Sequence, residues 1–463
     1  MIYHDIADLI KMYMDQEQLN IRALSRKMGM NAGQISKALT GELVSSNLLD
    51  AFTKVAGKPE GYYYLQFINE MFRSKPHWKR LKPFIESCAK IDRLDLIKVL
   101  MERLLELNDD LKHIDAIFEC AEELYHSAYS AASAVLYSIV IQIERYNQSQ
   151  RFAISLFRLF QIYRSDPKQA LMSVLQFMPY RSYLPESILL EALIATGHYF
   201  WLHNDADIVN QLAEELMQLS HALYENHIWK TNDLDLVQPL VYYYGQSYLM
   251  KAIYYEMIED YQSAMNWHIE YEDLSWFEGL DERGKIQVDR YSHFAHVNKL
   301  QMSIKLGWKE YIPEYVKFLK KNRQEIVHGL ESLLASANTY HYNIDEVLKE
   351  FSEYLTIEVE DLDMEEYNQA ISISRLVKYN LEYAIYAFSN KTGNLGIQKL
   401  LSSMKAAIQI DEKSSLLKAI SLFEMNRVYA TKEQVTMYKH LCNLCGRSID
   451  EDDQKNYVGR FGA

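Results

Sequence analysis

Only 16 Gly and 8 Pro occur in the 463 residues, and this scarcity constrains the fold more than any other feature. Both residue types punctuate turns and sheet bends, so a chain short of them cannot change direction often. Barrels, sandwiches and Rossmann-type loops are disfavoured on that ground, and an all-α chain is predicted. At ~100–200 residues per domain the length accommodates two or more domains, or one domain followed by an array of repeats.

Cys88, Cys120, Cys442 and Cys445 are too few for a disulfide scaffold in a chain this long. The first residues, MIYHDIADLIKMYMDQE, carry acids where a signal peptide needs bases. No run reaches the ~18 apolar residues of a membrane helix; the apolar stretch 135–143 is broken by Ser138 and Gln142. A cytoplasmic protein with no membrane partner is expected.

A net charge of −14, read as a whole, argues against nucleic acid. The charge is unevenly spread, however. Residues 1–82 hold 12 Lys/Arg and 8 Asp/Glu, whereas 83–463 hold 37 and 55. A small basic head therefore precedes a large acidic body, and two partners of different kinds are expected.

The head reads as four short helices separated by turn chemistry. Ile2, Ile6, Leu9, Ile10 and Tyr13 recur at helical spacing in the first. Asn20 is placed to cap the second, 21–28, and Gly29 stands where a left-handed residue ends a helix. Asn31 caps the third, 32–39, which Thr40 and Gly41 stop; the fourth follows Ser45 and Ser46 and ends at Gly57. From residue 61 onward the pattern lengthens to amphipathic helices of roughly 12–20 residues without strand alternation. Those predicted include 235–258, 261–277, 344–355 and 431–446.

Helices joined by short turns form antiparallel hairpins, and stacked hairpins make an α-solenoid. Segment 248–271, YLMKAIYYEMIEDYQSAMNWHIEY, sets Ala252 and Ala264 twelve residues apart with Tyr255 between them, and Ala384 and Gly396 repeat that spacing. The pattern resembles the tetratricopeptide repeat, in which small residues let two helices cross closely while aromatics fill the groove beside them. The expected organisation is a head at 1–60, a helical linker at 61–90, a degenerate repeat region at 91–446 and a tail at 447–463.

Segment 19–42, LNIRALSRKMGMNAGQISKALTGE, resembles the helix-turn-helix DNA-binding domains of the phage repressor type. Gly29 permits the tight turn. Leu24, Met28, Met30, Ile35 and Leu39 lock two helices at a steep angle, and the second helix offers its first residues to the major groove. On that resemblance Asn31, Ala32, Gly33, Gln34, Ser36 and Lys37 face DNA, with Gln34 the reader of adenine. Arg22, Arg26, Lys27 and Lys37 are four bases with no acid between residues 20 and 40, suited to phosphates. Ile21 departs from the pattern where such domains often carry Gln, and Leu39 where many carry an acid. Ala32 and Gly33 are poor readers, so specificity rests on few contacts and on DNA shape. The alternative reading is a three-helix packing module with a solvated basic face. The basic stretch 73–82, RSKPHWKRLK, either touches flanking phosphates or opens a solvated helix.

The 35 Tyr residues read individually as groove fillers between helices. Together with Asn and Gln on inner helices they can hold an extended peptide, the amides pairing its backbone. Candidates are Tyr243, Gln246, Arg290, Asn298, Asn338, Tyr342 and Asn380, and the acidic body favours a ligand with Lys, Arg or a free amino group. Cys442 and Cys445 form a lone C-x-x-C and read as thiols rather than a zinc site. His293 and His296, with Asp289 one turn before, lack a fourth ligand. No metal or cofactor is expected, and with no P-loop, H-E-x-x-H, G-x-S-x-G or G-x-G-x-x-G the chain is not expected to be an enzyme.

A repressor-type head fused to degenerate tetratricopeptide repeats resembles the peptide-pheromone receptors of Gram-positive bacteria, the RRNPP family. It is similar there to the arbitrium receptors of Bacillus phages. The resemblance implies a cytoplasmic homodimer whose heads bind paired half-sites of double-stranded operator DNA. It also implies that the repeats take up a short quorum-sensing peptide, changing dimer geometry and DNA affinity, with Asn298, Asn338 and Asn380 as the type of residue that holds the peptide backbone. Residues 394–446 are the expected dimer contact, because the end of an array must be capped or paired. Two rivals are a response-regulator phosphatase, for which Gln142, Gln148 and Gln161 offer nothing distinctive, and a protein-binding scaffold with a vestigial head.

Overall fold

The computed structural model describes residues 5–40, 44–73, 76–107, 110–231, 234–361, 369–410 and 412–444. Gly41, Cys445 and the tail 447–463 lie outside them. The described residues are helices and turns, with no strand among them, and none of the described helices is long and apolar enough to cross a membrane. The chain divides into two compact units, Met1–Ala192 and Leu193–Ala463.

The first unit contains α1 Ile6–Gln16, α2 Ile21–Met28, α3 Ala32–Leu39, α4 Ser46–Val55, α5 Tyr64–Met71, α6 Trp78–Lys90, α7 Leu94–Glu106, α8 Asp110–His126, α9 Ser130–Glu144, α10 Gln150–Tyr163 and α11 Pro167–Phe177. The division falls inside α12, Glu186–Leu202. The head helices begin where capping chemistry requires. Asn20 accepts from the Ala23 N–H at 2.9 Å, Asn31 from Gly33 at 2.7 Å and Ser45 from Leu48 at 3.3 Å, each pairing a donor that the first helical turn leaves open. Gly29 ends α2 at φ +66°, and the Met30 N–H reaches back to the Ser25 carbonyl at 3.1 Å.

The head does not have a core of its own. One apolar cluster runs from Ile6 through Leu24, Ile35, Phe52, Phe67, Phe84 and Leu100 to Leu159, so the predicted linker and the first repeat-like helices share the head's interior. Polar ties reinforce it. The Ile6 N–H donates to Glu70 Oε1 at 2.5 Å, and the Arg73 guanidinium holds both Asp5 oxygens, which clamps the start of α1 to the end of α5.

The second unit contains α13 Ala206–Glu225, α14 Ile228–Thr231, α15 Leu240–Met257, α16 Tyr261–Glu270, α17 Glu282–Lys305, α18 Ile312–Lys321, α19 Ile326–Tyr340, α20 Asp345–Glu350, α21 Gln369–Ser389, α22 Gly393–Gln409, α23 Lys413–Met425 and α24, 432–444. Helices α13, α15, α17, α19 and α21 pack in succession, and α16 and α22 fold back on α15 and α21. The twelve-residue spacing places small residues at these crossings. Ala252, Ala264 and Ala384 are fully buried, and a Cβ on Gly396 would stand 2.5 Å from the Phe388 ring. Tyr64, Tyr137, Tyr243, Tyr271, Tyr291 and Tyr379 are the largest buried side chains beside Phe, so these tyrosines fill grooves.

Three helix ends differ from the sequence reading. Helix α15 starts at Leu240, behind Pro239, rather than at 235. Helix α16 stops at Glu270 rather than 277, because Asp273 Oδ1 captures the Ser275 N–H at 2.9 Å in a side-chain turn. The segment 344–355 is α20 followed by a 3-10 turn at Ser352–Tyr354.

Gly245 on α15 is closely approached by an aromatic ring. A Cβ there would stand 2.6 Å from the Tyr291 ring, and that buried ring cannot swing aside because its hydroxyl is shared by the Tyr242 carbonyl and Gln246 Oε1 at 2.8 and 3.1 Å. Overpacking of this kind costs roughly 1–3 kcal/mol, against a gain of about 0.5–1 kcal/mol from replacing a helical Gly. Gly245→Ala should therefore lower the urea midpoint at unchanged m; a raised midpoint would show that the ring yields.

Candidate functional site

Helices α2 and α3 meet around Leu24, Met28, Ile35 and Ala38, all buried, with Met30 and Leu39 half-buried beside them. Opposite this core, Arg22, Arg26, Lys27, Asn31, Gly33, Gln34, Ser36 and Lys37 are exposed and Ala32 is half-buried. All nine sequence-predicted residues thus belong to one small unit of structure. Arg22 and Arg26 make no hydrogen bond or ion pair among the described residues. Lys27 differs, because its ammonium donates to Tyr13 Oη at 2.7 Å and Glu17 Oε2 at 3.3 Å. Those two bonds hold its pKa above the ordinary value. The acid missing from residues 20–40 is supplied by α1's neighbourhood, so Lys27 is partly neutralised.

Gln34 also has a local task. Its Oε1 accepts from the Asn31 N–H at 3.4 Å, completing a capping box with the Asn31 side chain. The bond is long enough that the amide remains the group to turn outward. The charge of this region is also redistributed. Residues 1–60 hold seven bases and seven acids, and the surplus lies in 61–82, with five bases and one acid. Of that surplus Arg73 holds Asp5 and Lys82 holds Glu123 at 2.5 Å, while Lys79 and Arg80 on α6 are exposed.

The seven peptide-binding candidates lie on one succession of helices, Tyr243 and Gln246 on α15, Arg290 and Asn298 on α17, Asn338 and then Tyr342 at the end of α19, and Asn380 on α21. Their roles diverge. Tyr243 and Asn380 are fully buried and are corrected to core residues. Arg290 is exposed, its guanidinium 5.1 Å over the Phe294 ring. Tyr342 donates to Ser336 Oγ at 2.8 Å. Each amide has one end engaged in tying two segments together: Gln246 Oε1 accepts from Tyr291, Asn298 Nδ2 donates to Tyr271 Oη at 3.0 Å, and Asn338 Nδ2 donates to the Glu382 carbonyl and carboxylate at 2.9 Å.

Asn380 Oδ1 accepts from the Lys399 ammonium at 3.2 Å, and Lys399 also donates to the Leu355 carbonyl and lies over the Tyr379 and Tyr383 rings at 5.5 and 5.1 Å. Burial pushes the Lys399 pKa down to about 8 against the opposing pull of Glu358. Between that value and the ordinary 10.5 the unfolded chain binds more protons than the folded one, so stability from this group rises with pH, by on the order of 3 kcal/mol in full. The stability of the wild type relative to Lys399→Met, from urea melts, should grow between about pH 7 and about pH 10. A flat or falling difference would contradict the buried, charged amine.

The chain matches no protein-family model and no curated protein. It is similar to a solved circular tandem repeat protein with novel repeat topology and enhanced subunit contact surfaces, at 13% identity over 92% of this chain and 91% of that one. The TM-score is 0.18, and at that value the likeness carries no argument.

Sequence reasoning missed a second polar group on the same helices. Lys305 on α17 lies close enough to His328 and Glu331, on the helix α19 packed beside it, for their charges to interact. Lys305 is 23 or more residues from the other two in sequence, which hides the grouping from any local pattern.

Proposed function

We propose that the chain is a peptide-responsive, DNA-binding transcriptional regulator that resembles the RRNPP receptors in architecture. The observation that carries this reading is the sidedness of α2 and α3, which turn Leu24, Met28, Ile35 and Ala38 inward and leave Arg22, Arg26, Asn31, Gln34, Ser36 and Lys37 outside. In this reading α2, Gly29 and α3 are the helix-turn-helix, and α3 lies in the major groove. Gln34 turns out of its capping bond to pair adenine, Arg22, Arg26 and Lys37 take phosphates, and Lys79 and Arg80 extend the backbone contact. Lys27 serves mainly to brace α2 on Tyr13.

The succession α15, α17, α19 and α21 receives a short peptide. Amides whose one end is already fixed by an interhelix bond present the other end at a set position, and such pre-organisation lowers the entropic cost of binding. The protein acts in the cytoplasm as a homodimer and is not an enzyme. The end of the array supports pairing there. Leu417 is 67%, Met425 77% and Val428 84% exposed, on a terminal repeat where a polar outer face is otherwise required.

The test is selection by the full chain from a randomised duplex pool. Enrichment of a palindrome with half-sites about 10 base pairs apart, or a multiple of that spacing, is expected. Recovery of no preferred sequence would refute the DNA-binding half.

A further inference from the structure

A half-buried cation on α17, Lys305, and a half-buried anion on α19, Glu331, interact through their charges and form no ion pair with each other among the described residues. Helix α19 runs beside α17. Gln301 donates to His328 Nε2 at 2.7 Å and to Ser332 Oγ at 3.1 Å, and Ser336 Oγ donates to the Ile304 carbonyl at 2.5 Å. One turn past Gln301, the Lys305 ammonium lies 5.2 Å over the Tyr261 ring and makes no hydrogen bond or ion pair among the described residues. Among the described residues, and with the Lys378 and Glu382 charges farther off, Glu331 makes polar contact with the Ser332 hydroxyl at 3.4 Å and His328 Nδ1 at 3.6 Å.

His328 does not neutralise that carboxylate. Burial, with Arg375, Lys305 and Lys378 nearby, pushes its pKa down to about 3, so the ring is uncharged. At Lys305 burial opposes the charge but Glu331 and Glu256 outweigh it, while at Glu331 burial outweighs Lys305 and raises the carboxyl. Opposite charges in a low-dielectric setting attract strongly, and a ligand with both charges can engage each of them. The side chains of Glu331 and His328 keep 16% and 27% exposure, so this part of the helix pair is in contact with solvent.

Two further residues line the same face of α19, at helical spacing from Glu331. Ala335 is half-buried and adds no polar group there. Asn338 donates from Nδ2 to Glu382, but its Oδ1 is buried with no partner. The acidic balance of the body alone favours a purely cationic ligand. Lys305 adds the requirement for an anionic group.

We propose that this part of the helix pair is a charge-reading subsite for a ligand with an acidic and a basic group close together, the acid held by Lys305, the base by Glu331 and an N–H by Asn338 Oδ1. It rests on the peptide-receptor reading above and specifies the charge pattern of that peptide. A free amino acid shares the chemistry, and the experiment separates the two sources.

Binding to the full chain is measured by calorimetry with four pools of end-capped hexapeptides in a neutral background. The pools carry an adjacent Lys and Asp, a lone Lys, a lone Asp or neither, and a mixture of free amino acids is the fifth sample. The Lys-Asp pool is expected to bind roughly tenfold or more tighter than the neutral pool, as hydrogen bonds to charged groups require. Lys305→Met should erase its advantage over the lone-Lys pool and Glu331→Gln its advantage over the lone-Asp pool, while Lys305→Arg keeps both. Equal binding of all four pools would overturn the subsite and leave the peptide reading intact. Binding of free amino acids alone, with the same dependence on Lys305 and Glu331, would keep the subsite and overturn the peptide reading. No binding by any sample would overturn both. The wild-type comparison decides the proposal even where a variant fails to fold.

Discussion

Glu122→Ala is expected to destabilise the first unit by about 3–5 kcal/mol, the cost of removing one partner from a buried, hydrogen-bonded ion pair. Glu122 accepts from Tyr137 Oη at 2.5 Å and from Arg158 Nε and Nη2 at 3.1 and 3.0 Å, and the guanidinium also lies 4.7 Å over the Tyr125 ring. Truncation leaves the fully buried Tyr137 hydroxyl without its acceptor and the Arg158 guanidinium with Gln161 Oε1 alone, at 3.0 Å and uncharged. Burial works against the Glu122 charge, but the hydrogen bonds and charge of Arg158 outweigh it and hold the carboxyl below its ordinary value. A carboxyl depressed by folding stabilises the folded chain above its unfolded pKa and loses that contribution as pH falls through the folded one. The gap between wild type and Glu122→Ala, from urea melts, should therefore be largest near pH 7 and narrow toward about pH 3. A gap below ~1 kcal/mol at neutral pH is the size of a surface ion pair and would contradict this network.

Replacing Arg22, Arg26 and Lys37 together by Gln is expected to abolish most DNA binding at physiological salt. Each phosphate contact contributes ~0.9 to the slope of log affinity against log salt concentration, so the triple variant should lose about 2.7 from that slope and weaken on every sequence alike. Lys27→Gln should cost less than any one of the three, because Glu17 and Tyr13 already hold that ammonium. Gln34→Ala should instead relax preference at one base position by roughly 1–3 kcal/mol. Equal losses for Lys27 and Arg22, with the salt slope unmoved, would mean that the face meets something other than a phosphate backbone. All three exchanges are at exposed positions, so circular dichroism should find the fold unchanged.

Much of the head was legible because its signals are local. Asn20, Gly29, Asn31 and Ser45 each act on backbone within a few residues, and each is found at the predicted helix end. The small residues Ala252, Ala264, Ala384 and Gly396 were legible for a similar reason, since a fixed helical rise converts spacing into a shared face. The end of α16 was not. Tyr271, Leu274 and Phe277 prolong the apolar rhythm and are all buried, but they reach the core from a turn that Asp273 closes. The amide candidates were identified by type, and their use was not readable. Whether Asn338 or Asn380 faces a partner helix or open space depends on residues about 20 to 44 positions away, Lys399 and Glu382 among them. The Lys305 and Glu331 pair is hidden for the same reason.

The apolar cluster that begins at Ile6 closes only at Leu159, and this bears on how such a chain can acquire new targets. A crossover that moved residues 1–60 alone between two relatives would part Phe52 from Tyr63, whose rings stack at 5.4 Å, and Asp50 from the Tyr64 hydroxyl at 2.7 Å. It would also strip Ile6 of its Glu70 acceptor. On the proposed DNA-binding reading, operator preference would not move with residues 1–60 as a portable cassette. Single exchanges at Gly33, Gln34, Ser36 and Lys37, which are exposed on α3, would change it without disturbing the shared interior.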